Sequence, residues 1–362
     1  MKILVTGGAG FIGSNFCDYC FSNEPLSMIE KIIVIDKLGY SGSIENIKEL
    51  QKRDNFVFIQ ADICDQKIVS NILFEEKINA IVHFAAESHV DRSIDNPEIF
   101  VQSNVLGTFK LLESSFHYVS SLSRKEREKF RFVHISTDEV YGSIPLEAPP
   151  VKEGGVYDPS SPYSASKAAS DHFVLAYHKT YGFPAIITHS SNNYGPRQHP
   201  EKMIPHMICN ALEEKELPVY GKGLNVRDWI YVEDHCAGIW RVLNRGRLGG
   251  VYHIAKGKGM TNFELVQKIC SQLDELFPRS SGRKYAELIR FVIDRPGHDL
   301  RYAIDVAKMK NELGWEAQVE LEDGLRKTIL WYVQHKEWIQ SVLDRGYLLK
   351  RQGLYRSVGN NA

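Results

Sequence analysis

No stretch of this 362-residue chain holds the roughly 18 consecutive apolar residues that a membrane-spanning helix needs. Net charge is nearly absent too, since 44 Lys and Arg against 45 Asp and Glu leave −1 with neutral histidines. So weak a field excludes a general affinity for nucleic acid. Cysteine is sparse, six residues at Cys17, Cys20, Cys64, Cys209, Cys236 and Cys270. Cys17 and Cys20 are spaced like half a metal site, but no second pair answers them. No metal and reduced thiols are therefore expected. The chain has no internal repeat and no low-complexity segment. Its first residues already read as a buried strand, which leaves no room for a signal peptide. A soluble, cytoplasmic protein is expected. With 43% hydrophobic residues it can bury a large core, divided into one domain and a smaller lobe.

Lys2-Ile3-Leu4-Val5-Thr6 runs into Gly7-Gly8-Ala9-Gly10-Phe11-Ile12-Gly13 and then a helical stretch from Ser14. The G-x-x-G-x-x-G spacing permits a tight turn and brings backbone N–H groups at a helix N-terminus close to a pyrophosphate. Gly7, Gly10, Phe11, Ile12 and Gly13 are thus cofactor candidates. A second strand, Lys31-Ile32-Ile33-Val34-Ile35, ends in Asp36, which suits ribose hydroxyls and repels a 2′-phosphate. NAD is expected rather than NADP, although Lys37, itself a cofactor candidate, works against that preference.

Two further strands continue the pattern. Phe56 to Ala61 leads to Asp62 and Ile63, placed for an adenine edge. Ala80 to Phe84 leads to Ala85, Ala86, Glu87 and Ser88, a stretch whose small residues let a cofactor lie against the backbone. Phe84 and Ser103 join the cofactor candidates. His83 sits in an apolar run and reads as packed core. Phe132 to Ile135 is another strand, delivering Ser136-Thr137-Asp138-Glu139. Strand and helix patterns alternate from residue 1 to about 190, which predicts an α/β fold with a doubly wound parallel (Rossmann) sheet and a second, smaller α/β lobe. Ligands gather at the carboxyl ends of such strands, so these polar clusters should converge.

Tyr163-Ser164-Ala165-Ser166-Lys167 places a phenol and an ammonium at i and i+4 on one helix face. A nearby cation favours phenolate, so Lys167 is expected to lower the tyrosine pKa toward working pH. Such a tyrosine can take a hydroxyl proton while hydride leaves the same carbon. Pro159-Ser160-Ser161-Pro162 presents it in the first helical turn. The adjacent Asp138 and Glu139 add a second acid and a second base. An acidic pair at a helix start can serve the helix dipole alone. Here it follows a strand end and precedes Tyr163 and Lys167, which points to an oxidation coupled to an elimination.

The expected organisation is an NAD-binding domain over 1–190, with return segments near 226–256. Residues 191–225 and 257–345 form the second lobe, and 346–362 a tail without a motif. Asn104 to Tyr118 and Pro162 to Tyr181 read as long helices, and Pro205 to Glu214 as a short one. The charge run Ser123 to Lys129 reads as a solvated helix extension. Ile144 to Ser161 reads as a surface loop beside the site.

These residues resemble the extended short-chain dehydrogenase/reductase family, and within it the nucleotide-sugar 4,6-dehydratases. The resemblance covers nearly the whole chain, through GGAGFIGSN, HFAAESHVDRSI, HISTDEVYG, PSSPYSASKAASDH, SSNNYGP, HPEKMIP, VRDWIYVEDH and RPGHDLRYAID. STDEVYG is the specific string, because sugar epimerases of the family lack its Asp-Glu pair. A charged insertion near 121–129 and the stretch Gly39-Tyr40-Ser41-Gly42 depart from the pattern without touching a motif.

The resemblance implies a hydro-lyase working in three stages on one tightly held NAD. Tyr163 removes the carbon-4 hydroxyl proton as hydride leaves, with Thr137 bonded to that hydroxyl and Lys167 on the nicotinamide ribose. Glu139 then takes the carbon-5 proton while Asp138 protonates the departing carbon-6 hydroxyl. Finally the hydride returns to carbon 6 and Glu139 reprotonates carbon 5. Arg227, Arg295 and His298 are implied diphosphate ligands. Asn192 is placed on the substrate and Asn193 nearer the nicotinamide. Lys202 to Met207, Pro218 to Tyr220 and Asn262 line the nucleotide channel, with Ser88 near the hexose. Arg301 and Tyr302 read equally well as structural and stay outside the site. Whole-chain resemblance favours a dTDP-hexose as substrate. A UDP-, CDP- or GDP-hexose, or a 4-epimerase reaction, stays open. A homodimer joined through the two long helices is also implied.

Overall fold

The computed structural model describes residues 1–23, 28–294 and 297–344. Arg295 and the tail 346–362 lie outside the described residues. The strands are β1 (Lys2–Thr6), β2 (Lys31–Asp36), β3 (Phe56–Gln60), β4 (Ala80–His83), β5 (Arg131–Thr137), β6 (Ala185–Ser190), β7 (Asn192–Tyr194), β8 (Leu217–Tyr220), β9 (Val226–Tyr231), β10 (Val251–Ile254), β11 (Gly259–Thr261) and β12 (Ile289–Val292). Seven of them form one parallel sheet in the order β10-β6-β5-β4-β1-β2-β3. The order reverses between β1 and β4, which opens a crevice at the carboxyl ends.

Both faces of the sheet are covered, so its strands are apolar almost throughout. In chain order the helices are α1 (Phe11–Asn23), α2 (Gln66–Glu76), α3 (Val90–Asp95), α4 (Pro97–Phe100), α5 (Gly107–Ser121), α6 (Arg124–Lys129), α7 (Pro162–Tyr181), α8 (Met203–Leu212), α9 (Val232–Arg245), α10 (Asn262–Leu276), α11 (Ala307–Leu313), α12 (Leu321–Gln334) and α13 (Lys336–Leu343). Alternation along β1 sends Ile3 and Val5 toward α1 and α9, and Leu4 toward α2, α5 and α7. Helix α7 has firm ends. Ser161 caps it by accepting from Ser164 N at 3.1 Å, Pro162 opens it, and Gly182 closes it in the left-handed conformation.

The second lobe packs Ile204, Ile208, Leu265, Ile269, Leu325 and Tyr332 into its own core. Its short strands pair as β11-β9-β7 and β12-β8. The segment 226–256 is divided between the two bodies: β9 pairs with β7 and β11, whereas α9 and β10 join the large sheet's layers. His83 is buried between Thr6 Oγ1 at 2.7 Å and Thr108 Oγ1 at 2.9 Å. The charge run forms α6, capped by Ser123 and Glu126 and without a buried residue. All six cysteines are free. Among the described residues no helix is long and apolar enough to cross a membrane.

Candidate active site

A cavity of about 470 Å³ lies between the carboxyl ends of the parallel strands and the second lobe. At its dinucleotide end the chain leaves β1 through Gly7, whose φ is +70°. A Cβ there would stand 2.6 Å from Ala85 N, so glycine alone allows the turn to pass under the loop after β4. The first N–H groups of α1, at Phe11, Ile12 and Gly13, have no acceptor within the helix by geometry. These three line the cavity with Gly7 and Gly10, a donor set that fits a pyrophosphate. Asp36 is held by Ala9 N at 3.0 Å and Leu38 N at 2.8 Å. Burial pushes its carboxyl up, and these backbone donors oppose the push. Lys37, Asp62, Ile63, Phe84, Ala85, Ala86, Ser88 and Ser103 complete this wall. Lys37 Nζ lies 3.5 Å from Glu87.

The chemical end is built by β5 and α7. Thr137, Asp138, Glu139, Tyr163 and Lys167 all line the same cavity. Thr137 accepts from Glu139 N at 3.3 Å and donates to Asp138 Oδ1 at 3.4 Å. Asp138 is 3% exposed, and Oδ2 has no hydrogen-bond partner. Burial, then the carboxylates of Glu139 and Asp228, push the Asp138 carboxyl well above the usual range. The shift favours the protonated form, the one that can donate a proton. Lys167 Nζ donates to the Ile135 carbonyl at 2.8 Å, which ties α7 to the end of β5.

The expected effect of Lys167 on Tyr163 is outweighed. Burial, then the Glu139 carboxylate, push the phenol far above its ordinary value, and a hydrogen bond with Thr137 only partly opposes this. Burial also pulls the Lys167 ammonium down to about 8. Loss of water is the largest influence on both groups.

The remaining candidates converge as well. Asn192, Asn193, Lys202, Pro218, Tyr220, Arg227, Asn262 and His298 line the cavity. Among the described residues, the buried side-chain carbonyl oxygens of Asn192 and Asn262 find no hydrogen-bond partner, which fits contact with a polar ligand. Asn193 is oriented by His235 Nδ1 at 2.7 Å. Lys202 Nζ donates to Ser88 O at 2.7 Å, bridging the two lobes. Arg227 donates to the carbonyls of Val226 and Asp299, both at 2.8 Å, and stacks 4.1 Å from the Tyr302 ring centroid.

Several lining residues escaped the sequence reading. Tyr302, set aside as structural, faces the cavity beneath Arg227 and donates to Asp299 Oδ2 at 2.5 Å. Its neighbour Arg301 instead binds the carbonyls of Pro145, Leu146 and Ala148 and holds the loop after β5. Gly39, Ser41, Gly42, His89, Asp91, His199, Glu201 and Trp229 also reach the cavity. Asn104, in a π-helical turn at Val101–Leu106, joins Glu87 to Ser166 of α7. Such a turn inside a helix is a recurrent mark of a functional site, but its wider winding leaves no trace in composition.

Residues 4–328 match the family described as GDP-mannose 4,6 dehydratase. The dTDP-glucose 4,6-dehydratase of Escherichia coli is 48% identical, with 98% of this chain and 99% of that one aligned. The probable dTDP-glucose 4,6-dehydratase of Sinorhizobium fredii is also 48% identical over 98% and 99% of the two chains. Among solved structures, the Streptomyces venezuelae dTDP-glucose 4,6-dehydratase with NAD bound superposes with a TM-score of 0.85. It is 42% identical, over 94% of this chain and 100% of that one. A Thermotoga maritima UDP-glucose 4-epimerase gives a TM-score of 0.79 at 28% identity, over 92% and 99%. The scaffold is thus shared with epimerases, whereas identity over the full length rises toward the dehydratases. The chain belongs to the nucleotide-sugar 4,6-dehydratases of the extended short-chain dehydrogenase/reductase family.

Proposed function

We propose that this protein converts dTDP-glucose to dTDP-4-keto-6-deoxyglucose, as an NAD-dependent hydro-lyase. The observation that carries the reading is the buried Asp138 beside Glu139, in one cavity with Tyr163 and Lys167. An epimerase needs no such acid. NAD, when bound, would supply a hydride acceptor for carbon 4 and, once reduced, a hydride donor for carbon 6. Gly7, Gly10 and the first turn of α1 would hold its pyrophosphate, Asp36 a ribose, Asp62 and Ile63 the adenine. Lys167 and Asn193 would hold the nicotinamide side.

Tyr163 accepts the carbon-4 hydroxyl proton, while Thr137 orients that hydroxyl. The resulting ketone acidifies carbon 5. Glu139, half-buried and beside Asp138, removes that proton, and Asp138 protonates the carbon-6 hydroxyl so that it departs as water. Glu139 then returns a proton to carbon 5. Positioned acid and base groups each contribute about 10²–10⁴-fold. Arg227, His298 and Arg295 are the proposed diphosphate contacts. Residues 191–231 and 257–344 would be the nucleotide-sugar lobe. A cytosolic homodimer paired through α5 and α7 completes the reading, supported by the exposed Val101, Leu106, Phe173 and Tyr181 on and beside these helices.

Purified protein incubated separately with dTDP-, UDP-, CDP- and GDP-glucose tests this. Loss of one water by mass, with the alkali-induced absorbance of a 4-keto-6-deoxy sugar, is expected for dTDP-glucose. An isomer of unchanged mass would replace the reading with epimerisation.

A further inference from the structure

Behind the catalytic face of α7 lies a polar cluster that the proposed chemistry never touches. Asp171 follows Lys167 by one helical turn and is completely buried. Its Oδ2 accepts from Ser136 Oγ at 3.0 Å and Tyr157 Oη at 3.2 Å, and shares a third hydrogen bond with His189 Nε2 at 3.0 Å. Oδ1 has no hydrogen-bond partner, although His134 Nε2 stands 3.3 Å away. His189 is braced in turn by Tyr141 Oη at 2.7 Å, which meets His253 Nε2 at 2.9 Å. Strands β5, β6 and β10 are thereby tied to α7 through one carboxyl group.

Burial alone would push that carboxyl up. The imidazoles of His134 and His189 outweigh burial and hold it well below the usual carboxylate range. Asp171 is thus an anion in the interior, a state that costs several kcal/mol unless charge and donors surround it. The i, i+4 spacing on α7 puts Lys167 on the same helix face as this buried carboxylate.

Lys167 has the complementary need. It is 4% exposed, and burial favours its neutral amine. Against that burial, the Asp171 carboxylate supports the ammonium form. His83 on β4 and His134 on β5 are kept neutral by burial. In the cofactor-free chain, burial favours the protonated forms of Tyr163 on α7 and Asp138 after β5. Glu139 acts on Tyr163, and His189 on β6 is engaged with Asp171.

We propose that Asp171 is a positioning residue whose buried negative charge keeps Lys167 an ammonium ion at working pH. The proposal rests on the catalytic reading of Tyr163 and Lys167. It assigns a task to a residue that touches neither cofactor nor sugar.

The test is Asp171→Asn in the NAD-loaded enzyme, with single-turnover oxidation of dTDP-glucose followed across pH. Ammonium is present below the lysine pKa and lost above it, so removing the anion must move that loss to lower pH. A downward shift of about one unit in the alkaline midpoint is expected, with KM unchanged within about twofold. Ser136→Ala removes one donor but leaves the charge, and its midpoint should stay with the parent. Coinciding midpoints for parent and Asp171→Asn overturn the proposal, as does an equal shift in Ser136→Ala, which would mark a packing effect. The lysine Nζ resonance of ¹⁵N-lysine-labelled parent, assigned by its loss in Lys167→Met, needs neither substrate nor the Asn variant. An ammonium signal at neutral pH is expected, and a neutral amine there overturns the proposal. Absence of turnover on dTDP-glucose would overturn the substrate reading while leaving this signal to decide the role of Asp171.

Discussion

Replacing Asp138 by Asn should separate the two halves of the reaction. The side chain is 3% exposed and its carboxyl is pushed up by burial, then by Glu139 and Asp228. At neutral pH an ordinary aspartate, with a pKa of about 3.9, would be ionised and useless as an acid. The upward push on Asp138 favours its protonated form, which is lost only as pH climbs through the raised value. Asparagine matches the shape and neutrality of that acid. The one hydrogen bond at stake is the long 3.4 Å contact from Thr137, so stability should change by less than about 1 kcal/mol. Proton donation, in contrast, is lost outright. Elimination should slow by about 10²–10⁴-fold, or about 2.7–5.5 kcal/mol of barrier. Oxidation at carbon 4 uses Tyr163 and should keep its rate within a few-fold. Rapid mixing with dTDP-glucose should therefore show reduced nicotinamide rising at the parental rate and then persisting. If it rises more slowly in proportion to the loss of product, Asp138 is only shaping the site. If product forms at the parental rate, the assignment of the acid is wrong.

Three other changes probe the scaffold. Gly7→Ala places a side chain at a φ of +70° and 2.6 Å from Ala85 N. A cost of at least about 1–3 kcal/mol is expected, read as a lower Tm together with less NAD retained on purification. Ser161→Ala removes the cap and its reciprocal bond with Ser164, at about 1 kcal/mol. Because Tyr163 sits in that first turn, kcat should fall with Tm, while KM for the nucleotide sugar holds. Asp36→Asn keeps the hydrogen-bonded shape but drops the charge, so the ratio of NADP to NAD Kd should narrow by about tenfold, or about 1.4 kcal/mol. An unchanged ratio in titrations of the two cofactors would remove Asp36 from the discrimination.

The parallel sheet was legible because buried strands are continuous apolar runs that stop at polar clusters. Lys2 to Thr6 and Lys31 to Asp36 end where the sequence pattern changes, and the cavity gathers the glycines and polar residues just beyond those ends. Helix α7 runs from Pro162 to Tyr181 as expected, since Ser161, Pro162 and Gly182 are local signals that need no tertiary partner. The short strands β7 and β11, three residues each, carry no such signal. Their pairing with β9 is a tertiary event. Tyr302 escaped for the same reason, because nothing in RPGHDLRYAID tells which side of the chain the ring takes until Arg227 stacks on it. The direction of the Tyr163 shift was beyond the sequence for a different reason. Helical spacing announces the cation, but only the folded interior sets the depth of desolvation, which here outweighs it.

Strand β5 explains why oxidation and elimination can share one seat. Residues at i and i+2 fall on one face of a strand, and His134 and Ser136 both turn toward Asp171. Ile135 packs on the opposite face, with α1 and α9, while its carbonyl takes the Lys167 ammonium. The strand then ends in Thr137, which caps the turn carrying Asp138 and Glu139. A slip of one residue against β6 would exchange the two faces. His134 and Ser136 would leave Asp171, and the acid and base would leave Tyr163, in the same movement. Register is thus what couples the chemistry of α7 to that of β5. Damage to the β5–α7 joint, for example at the Ser136 hydroxyl that donates to Asp171 at 3.0 Å, should depress oxidation and elimination together. Loss of Asp138 should depress elimination alone. The two signatures differ in the same assay, so the joint and the acid can be told apart.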